Sequence, residues 1–194
     1  MKTIEQMIKE MCPEGVEYVR LGDIAEVMRG RRLTKKELSN DNIYPVYHGG
    51  VEPIGFYYKA NRLENTVMII NVGASAGTVG YCKSMFWSSD GCFCISHSVK
   101  LNSRFLFYHL STRQNYLMGK VRHAGIPTLD AKIIENLEIP LPPLEIQNEI
   151  VRILDKFTTL EAELEAELDC RKRQYEFYRD KLLTFNKIGG VRKT

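Results

Sequence analysis

The stretch from Leu144 to Phe185 constrains this chain most. It contains no glycine and no proline, and it follows directly on Leu141-Pro142-Pro143. Ile146, Ile150, Ile153, Phe157, Leu160, Leu164, Leu168, Tyr175, Tyr178 and Leu182 recur along it at helical spacings. That places one apolar stripe on a helix, narrow enough to read as a coiled-coil seam. At about 1.5 Å per residue such a helix is roughly 60 Å long, beyond the span of a small domain. It cannot bury its seam against itself. The chain offers no second helix of that length, so the expected partner is another molecule, with Ile150, Ile153, Phe157, Leu160, Leu164, Leu168, Tyr175, Tyr178 and Leu182 as the contact residues.

The 194 residues leave room for one globular domain plus this extension. No apolar run approaches the roughly 18 to 20 residues of a membrane span, and no signal-peptide pattern is expected. Five cysteines without framework spacing point to reduced thiols in a cytoplasmic protein. The net charge of +3 is unevenly divided. Residues 18–140 carry 15 Lys/Arg against 10 Asp/Glu, whereas 144–185 carry 7 against 10. The basic surplus therefore sits on the globular part, where a polyanion can bind.

Residues 2–11 place Ile4, Met7, Ile8 and Met11 on one face of a short helix that Cys12-Pro13-Glu14-Gly15 ends. Val16–Leu21 reads as a strand, and 21–27 as a helical turn or a further strand. Arg29, Arg31, Arg32, Lys35 and Lys36 then put five positive charges into eight residues beside Gly30, which lets a backbone approach a phosphate. Ile43–Gly50 is a short strand running into a glycine turn with His48 at its tip, and Tyr57 and Tyr58 read as half-buried strand residues. Thr66–Ile70 is the most apolar strand. The loop Gly73–Gly77, carrying Ser75, leads into another strand, so it lacks the helix that a nucleotide-binding loop requires, but its small residues suit close approach to a DNA backbone. Cys92 and Cys94 share one face of a strand opposite Phe93 and Ile95, and their spacing, with Cys82 and His97, argues against zinc. One helix is expected over 103–118, capped by Ser103, with Phe105, Tyr108, His109, Thr112 and Tyr116 along a stripe and His109 hydrogen-bonded in the core. Lys120, Arg122 and His123 form a second basic approach to the turn Gly125–Leu129. Leu137–Pro143 is an extended edge strand.

Gly125-Ile126-Pro127-Thr128-Leu129, then Ile139-Pro140-Leu141-Pro142-Pro143-Leu144-Glu145-Ile146-Gln147 and Glu149-Ile150-Val151 with Ile153-Leu154-Asp155 make the chain resemble a specificity subunit of a type I restriction-modification system. Pro13–Tyr18, Leu21–Ile24, Tyr44–Tyr47 and Gly73–Gly77 extend the resemblance over nearly the whole chain. It implies a non-catalytic reader of double-stranded DNA, with no cofactor of its own. A target-recognition domain reads one half of a split site, while the long helix is the spacer that docks methyltransferase subunits, with a restriction/translocase subunit as a further partner. Such proteins usually carry two recognition domains and two antiparallel helices, and this chain has one of each. It is either a half-length form that pairs with a second copy of itself or a fragment of a longer protein. The tandem repeat Leu160-Glu161-Ala162-Glu163, Leu164-Glu165-Ala166-Glu167 resembles short spacer repeats found at this place, and is also simply good helix sequence.

The competing classes are a DNA-acting enzyme, such as a methyltransferase, and a bare coiled-coil adaptor. Amino methylation needs an Asn/Asp-Pro-Pro-aromatic loop, but Pro142-Pro143 is flanked by leucines. An adaptor leaves the basic globular part unexplained. The expected fold is α+β: a short helix and lead-in over 1–17, a recognition domain with a mixed, mostly antiparallel sheet over 18–143, one long protruding coiled-coil helix over 144–188, and a tail over 189–194. The candidate DNA-binding residues are Arg29, Arg31, Arg32, Lys35, Lys36, His48, Ser75, Lys120, Arg122 and His123. No catalytic or metal-binding residues are expected.

Overall fold

The long Gly- and Pro-free stretch is one continuous α-helix in the computed structural model, which describes residues 2–39, 41 and 43–185. In chain order the elements are α1 (Ile4–Met11), β1 (Tyr18–Arg20), α2 (Leu21–Ile24), β2 (Val27–Arg29), β3 (Tyr44–Tyr47), β4 (Gly55–Tyr57), β5 (Thr66–Ile70), β6 (Val79–Cys82), β7 (Trp87–Ser88), β8 (Cys92–Ile95), α3 (Ser103–Thr112), α4 (Gln114–Gly119), α5 (Ala131–Glu135), β9 (Glu138–Pro140) and α6 (Leu144–Leu183). The chain forms two compact units, Met1–Val151 and Arg152–Thr194, with α6 beginning in the first and continuing through the second. The positions expected to end the helix, 186–188, and the expected tail, 189–194, lie outside the described residues.

The strands make three sheets rather than one. A four-stranded antiparallel sheet has the order β2-β8-β5-β6, a three-stranded sheet has the order β4-β3-β7, and β1 pairs with β9. Among the described residues only β3 and β7 run parallel, with Val46 opposite Trp87 and Tyr47 opposite Ser88. The α+β reading with mostly antiparallel pairing therefore holds.

Strand alternation divides the core between the two faces of the four-stranded sheet. Val67, Ile69, Phe93 and Ile95 face a larger cluster with Leu106, Leu110, Leu117, Ile134 and Ile139. Met68, Ile70, Cys92 and Cys94 face a smaller one with Cys82 and Phe86. Every residue of β5 is buried. The cysteine pair thus behaves as small core residues, as its spacing suggests.

Four local expectations are corrected. The segment 103–118 is two helices, because Arg113 (φ −97°, ψ 2°) leaves the helical path between α3 and α4. The α3 cap is Asn102, not Ser103; its side chain accepts from the backbone N–H groups of Arg104 and Phe105. The buried stripe is Phe105, Leu106 and Leu110, followed by Leu117 in α4, while Tyr116 is exposed. His109 is half-buried, its Nε2 has no hydrogen-bond partner among the described residues, and burial, helped by Arg113, lowers its pKa.

Candidate nucleic-acid interface

Arg29 closes β2, and Arg31, Arg32, Lys35 and Lys36 follow it; all five side chains are exposed. Their backbone is fastened along its length. Arg31 N–H donates to Ser88 O at 2.9 Å, and the Trp87 indole N–H donates to Arg31 O at 2.7 Å. Arg62 donates to Arg29 O and to Asn61 O, both at 2.7 Å. Asn61 in turn brackets Ser88, accepting from its N–H at 2.7 Å and donating to its carbonyl at 3.0 Å. Thr34 and Glu37 close a capping box over the single 3-10 turn Lys35–Glu37. The Thr34 backbone N–H, with its hydroxyl, holds the Glu37 carboxyl below its usual range.

Gly30 plays a different part from the one its position suggests. A Cβ there would stand 1.9 Å from Ser89 O and 2.5 Å from Ser88 O. Glycine is needed so that the basic run can lie against the strand below it, not so that a ligand can approach.

The other candidate loops are fastened in the same way. His48 Nδ1 lies 3.2 Å from Asp90 Oδ1. A Cβ on Gly91 would fall 2.8 Å from both Gly49 N and His48 Nδ1 and 2.9 Å from Val72 Cγ1, so three chain segments meet there. Asn71 N–H donates to Gly91 O at 3.2 Å, Leu129 N–H donates to Asn71 O at 2.9 Å, and Gly73 N–H donates to Pro127 O at 2.9 Å. Arg122 and Thr128 exchange backbone hydrogen bonds of 2.9 and 3.0 Å, which presents Arg122 and His123 on a closed turn. Ser75 is half-buried in the 73–77 loop, whose far end rests on the backbone of Leu117 and Met118. Lys120 follows α4, its ammonium 5.2 Å from the Tyr116 ring centre.

The ten candidates thus come from four separated parts of the sequence, each fastened to a neighbouring segment by hydrogen bonds or close backbone packing. Arg29, Arg31, Arg32, Lys35, Lys36, Lys120 and Arg122 form no ion pair among the described residues. Exposed cations that form no ion pair, on a fastened backbone, are suited to phosphate contact. Sequence reading missed the residues that do the fastening: Asn61, Arg62, Trp87 and Ser88. The one tryptophan of the chain was the available signal, because a buried indole N–H demands an acceptor. Asp90-Gly91, a turn dipeptide, was the signal for the His48 partner. His97 instead sits within 3.2 Å of both Thr66 Oγ1 and Asn65 O. Among the described residues no group of three or more His, Cys, Asp or Glu is placed to hold a metal ion.

Along α6 the stripe changes character. Ile146 is fully buried, and Ile150 and Val151 pack against the larger core cluster. Ile153 is half-buried, whereas Phe157, Leu160, Leu164, Leu168, Tyr175, Tyr178 and Leu182 are all exposed. Ile150 therefore serves the core of its own chain, and the unpartnered face starts beyond it.

The family described as type I restriction modification DNA specificity domain matches residues 13–169. The chain is 29% identical over 195 residues to the type I restriction enzyme MjaVIII specificity subunit of Methanocaldococcus jannaschii, an alignment spanning 93% of this chain and 45% of that one. It is 28% identical over 177 residues to the type I restriction enzyme MpnII specificity subunit of Mycoplasma pneumoniae, spanning 87% of this chain and 53% of that one. Its fold is similar to the crystal structure of the type I restriction-modification S subunit from M. genitalium, with a TM-score of 0.68 at 21% identity over 86% of this chain and 46% of that one. The chain thus spans about half the length of these relatives. With the family match extending from the lead-in to β1 well into α6, this chain belongs to the type I restriction-modification DNA specificity domain family.

Proposed function

We propose that the chain is a non-catalytic, sequence-specific DNA-reading subunit of a cytoplasmic type I restriction-modification complex. Its fastened loops read one half of a bipartite site. A second copy, joined through the exposed face of α6, supplies the other half. The same helices scaffold the methyltransferase subunits and the restriction/translocase subunit, and the Leu160–Glu167 repeat spaces the half-sites. The observation that supports this reading is that Arg29, Arg31, Arg32, Lys35, Lys36 and Arg122 are exposed, without ion-pair partners among the described residues, on segments fastened by backbone hydrogen bonds.

The test measures DNA affinity across salt concentrations for the chain in complex with its modification subunits, before and after neutralising Arg31, Arg32, Lys35 and Lys36 to Gln. Phosphate contacts imply a loss that is equal on all sequences and a log–log salt slope flatter by up to about 0.9 per lost contact. An unchanged slope would return the run to the role of a solvated loop.

A further inference from the structure

The exposed part of the α6 stripe is symmetric about its own middle. It runs from Phe157 to Leu182 through Leu164, Leu168 and Tyr175, and its midpoint falls between Asp169 and Cys170. The change of charge falls there too. Every second residue from Glu161 to Asp169 is acidic, and Arg171, Lys172 and Arg173 begin a mostly basic stretch. Two copies related by a dyad at that midpoint set Phe157 opposite Leu182, Leu164 opposite Tyr175 and Leu168 opposite Arg171. A shared centre for apolar stripe and charge boundary is what antiparallel pairing with a second copy requires. An unrelated partner demands no such symmetry.

One polar residue interrupts the stripe. At about 100° per residue, Leu164 and Leu182 share one line along the helix, Arg171 lies about 20° to one side of it, and Lys172 about 80° to the other. Arg171 therefore sits in the seam and Lys172 outside it. Glu167 lies about 60° from the line, on the Arg171 side, so it flanks the seam there. Within one chain the Arg171 guanidinium donates to Glu167 Oε1 at 3.4 Å and to Gln174 Oε1 at 3.3 Å, long contacts between exposed side chains. The dyad turns the same side of both helices toward each other. It also sets Glu167 of the second copy level with Lys172, only about 1.5 Å along the axis from Arg171.

We infer that Arg171 and Glu167 form two reciprocal ion pairs across the dyad of an α6–α6 pair, and that these pairs fix its orientation and register. The assignment rests on the pairing of two copies proposed above. The apolar residues carry affinity, while a lone polar residue in the seam lowers stability and selects one arrangement. Parallel pairing sets Arg171 against Arg171 and Glu167 against Glu167. Slipping the antiparallel pair by one heptad carries Glu167 about 10 Å from Arg171, and sets acid against acid or base against base.

The experiment co-expresses the modification subunits with two differently tagged full chains, one carrying Arg171→Glu and the other Glu167→Arg. Native mass spectrometry then counts the homodimeric and mixed complexes. Each variant has like charges at 167 and 171 within its own chain and across its homodimer. Only the mixed dimer restores opposite charges, and only between chains. The expected result is an excess of mixed dimer of about tenfold over the statistical ratio. The control combines Arg173→Glu with Asp169→Arg, an equal charge exchange in a pair that, at about 100° per residue, faces away from the seam. It should mix statistically. Statistical mixing of the 167 and 171 variants overturns the assignment. So does an equal excess in the control, which marks bulk charge attraction. Wild-type chains that do not pair overturn the two-copy reading itself, and this assignment with it.

Discussion

At the scale of single residues, two glycines in similar loops have opposite burdens. At Gly30 the space for a side chain is already occupied by the carbonyl oxygens of Ser88 and Ser89. At Gly50 no atom lies within 4 Å of where a Cβ would stand, and the backbone has no left-handed angle. Gly30→Ala must push the basic run off β7, straining the Arg31–Ser88 and Trp87–Arg31 hydrogen bonds. We expect it to cost about 1–3 kcal/mol, the usual range for overpacking, and to weaken DNA binding. Gly50→Ala should stay within about 0.5 kcal/mol of wild type, as surface substitutions do. Urea unfolding followed by circular dichroism compares the two. Equal stabilities would show that the loop yields freely and is not fastened as the hydrogen bonds indicate.

At the scale of elements, the first two turns of α6 belong to the core and the rest of its apolar stripe is exposed. Gln147 is the anchor of that start. It is fully buried, accepts from Asn102 N–H at 2.8 Å and donates to Lys100 O at 3.0 Å and Pro142 O at 2.8 Å. One side chain thereby ties the helix to the cap of α3 and to the proline junction before it. Gln147→Leu fits the volume approximately but leaves all three backbone groups without that partner. At about 1–3 kcal/mol per buried unsatisfied group, with partial access to water discounted, the expected loss is about 2–4 kcal/mol, readable from the urea midpoint. A loss below about 1 kcal/mol would mean that water replaces the amide and the anchor is dispensable.

At the scale of the whole molecule, the charge pattern of α6 sets how two copies would meet. Glu161, Glu163, Glu165, Glu167 and Asp169 precede Arg171, Lys172, Arg173, Arg179 and Lys181. Parallel pairing sets acid against acid, while antiparallel pairing centred near Cys170 sets acid against base. Part of this charge is engaged within the helix, since Arg171 pairs with Glu167 at 3.4 Å and Arg173 pairs with Asp169. Such exposed pairs contribute only about 0.3–0.5 kcal/mol each, so interchain pairs can replace them readily, and the orientation depends on the sum over two symmetric sets. With Cys170→Ser as background, Glu163→Cys combined with Phe177→Cys should give chains crosslinked between 163 and 177. Efficient crosslinking of Glu163→Cys alone would instead establish the parallel arrangement.

Periodicity carried the helix and the strand faces into the sequence itself. The absence of Gly and Pro over 144–185 and the spacing of its apolar residues are properties of neighbouring positions, and backbone geometry turns them directly into a helix. The alternation Cys92, Phe93, Cys94, Ile95 likewise assigned each side chain to a face before its neighbours were known. The charge count also put the basic surplus on the globular part. Contacts between distant segments were beyond its reach. The parallel register of β3 on β7 brings His48 to Asp90 and sets Ser88 beneath the basic run, and no local pattern encodes that pairing. The break at Arg113, the burden on Gly30 and the burial of Ile150 have the same origin. Each follows from which surface the rest of the chain presents to that residue, and that is decided only when the segments pack together.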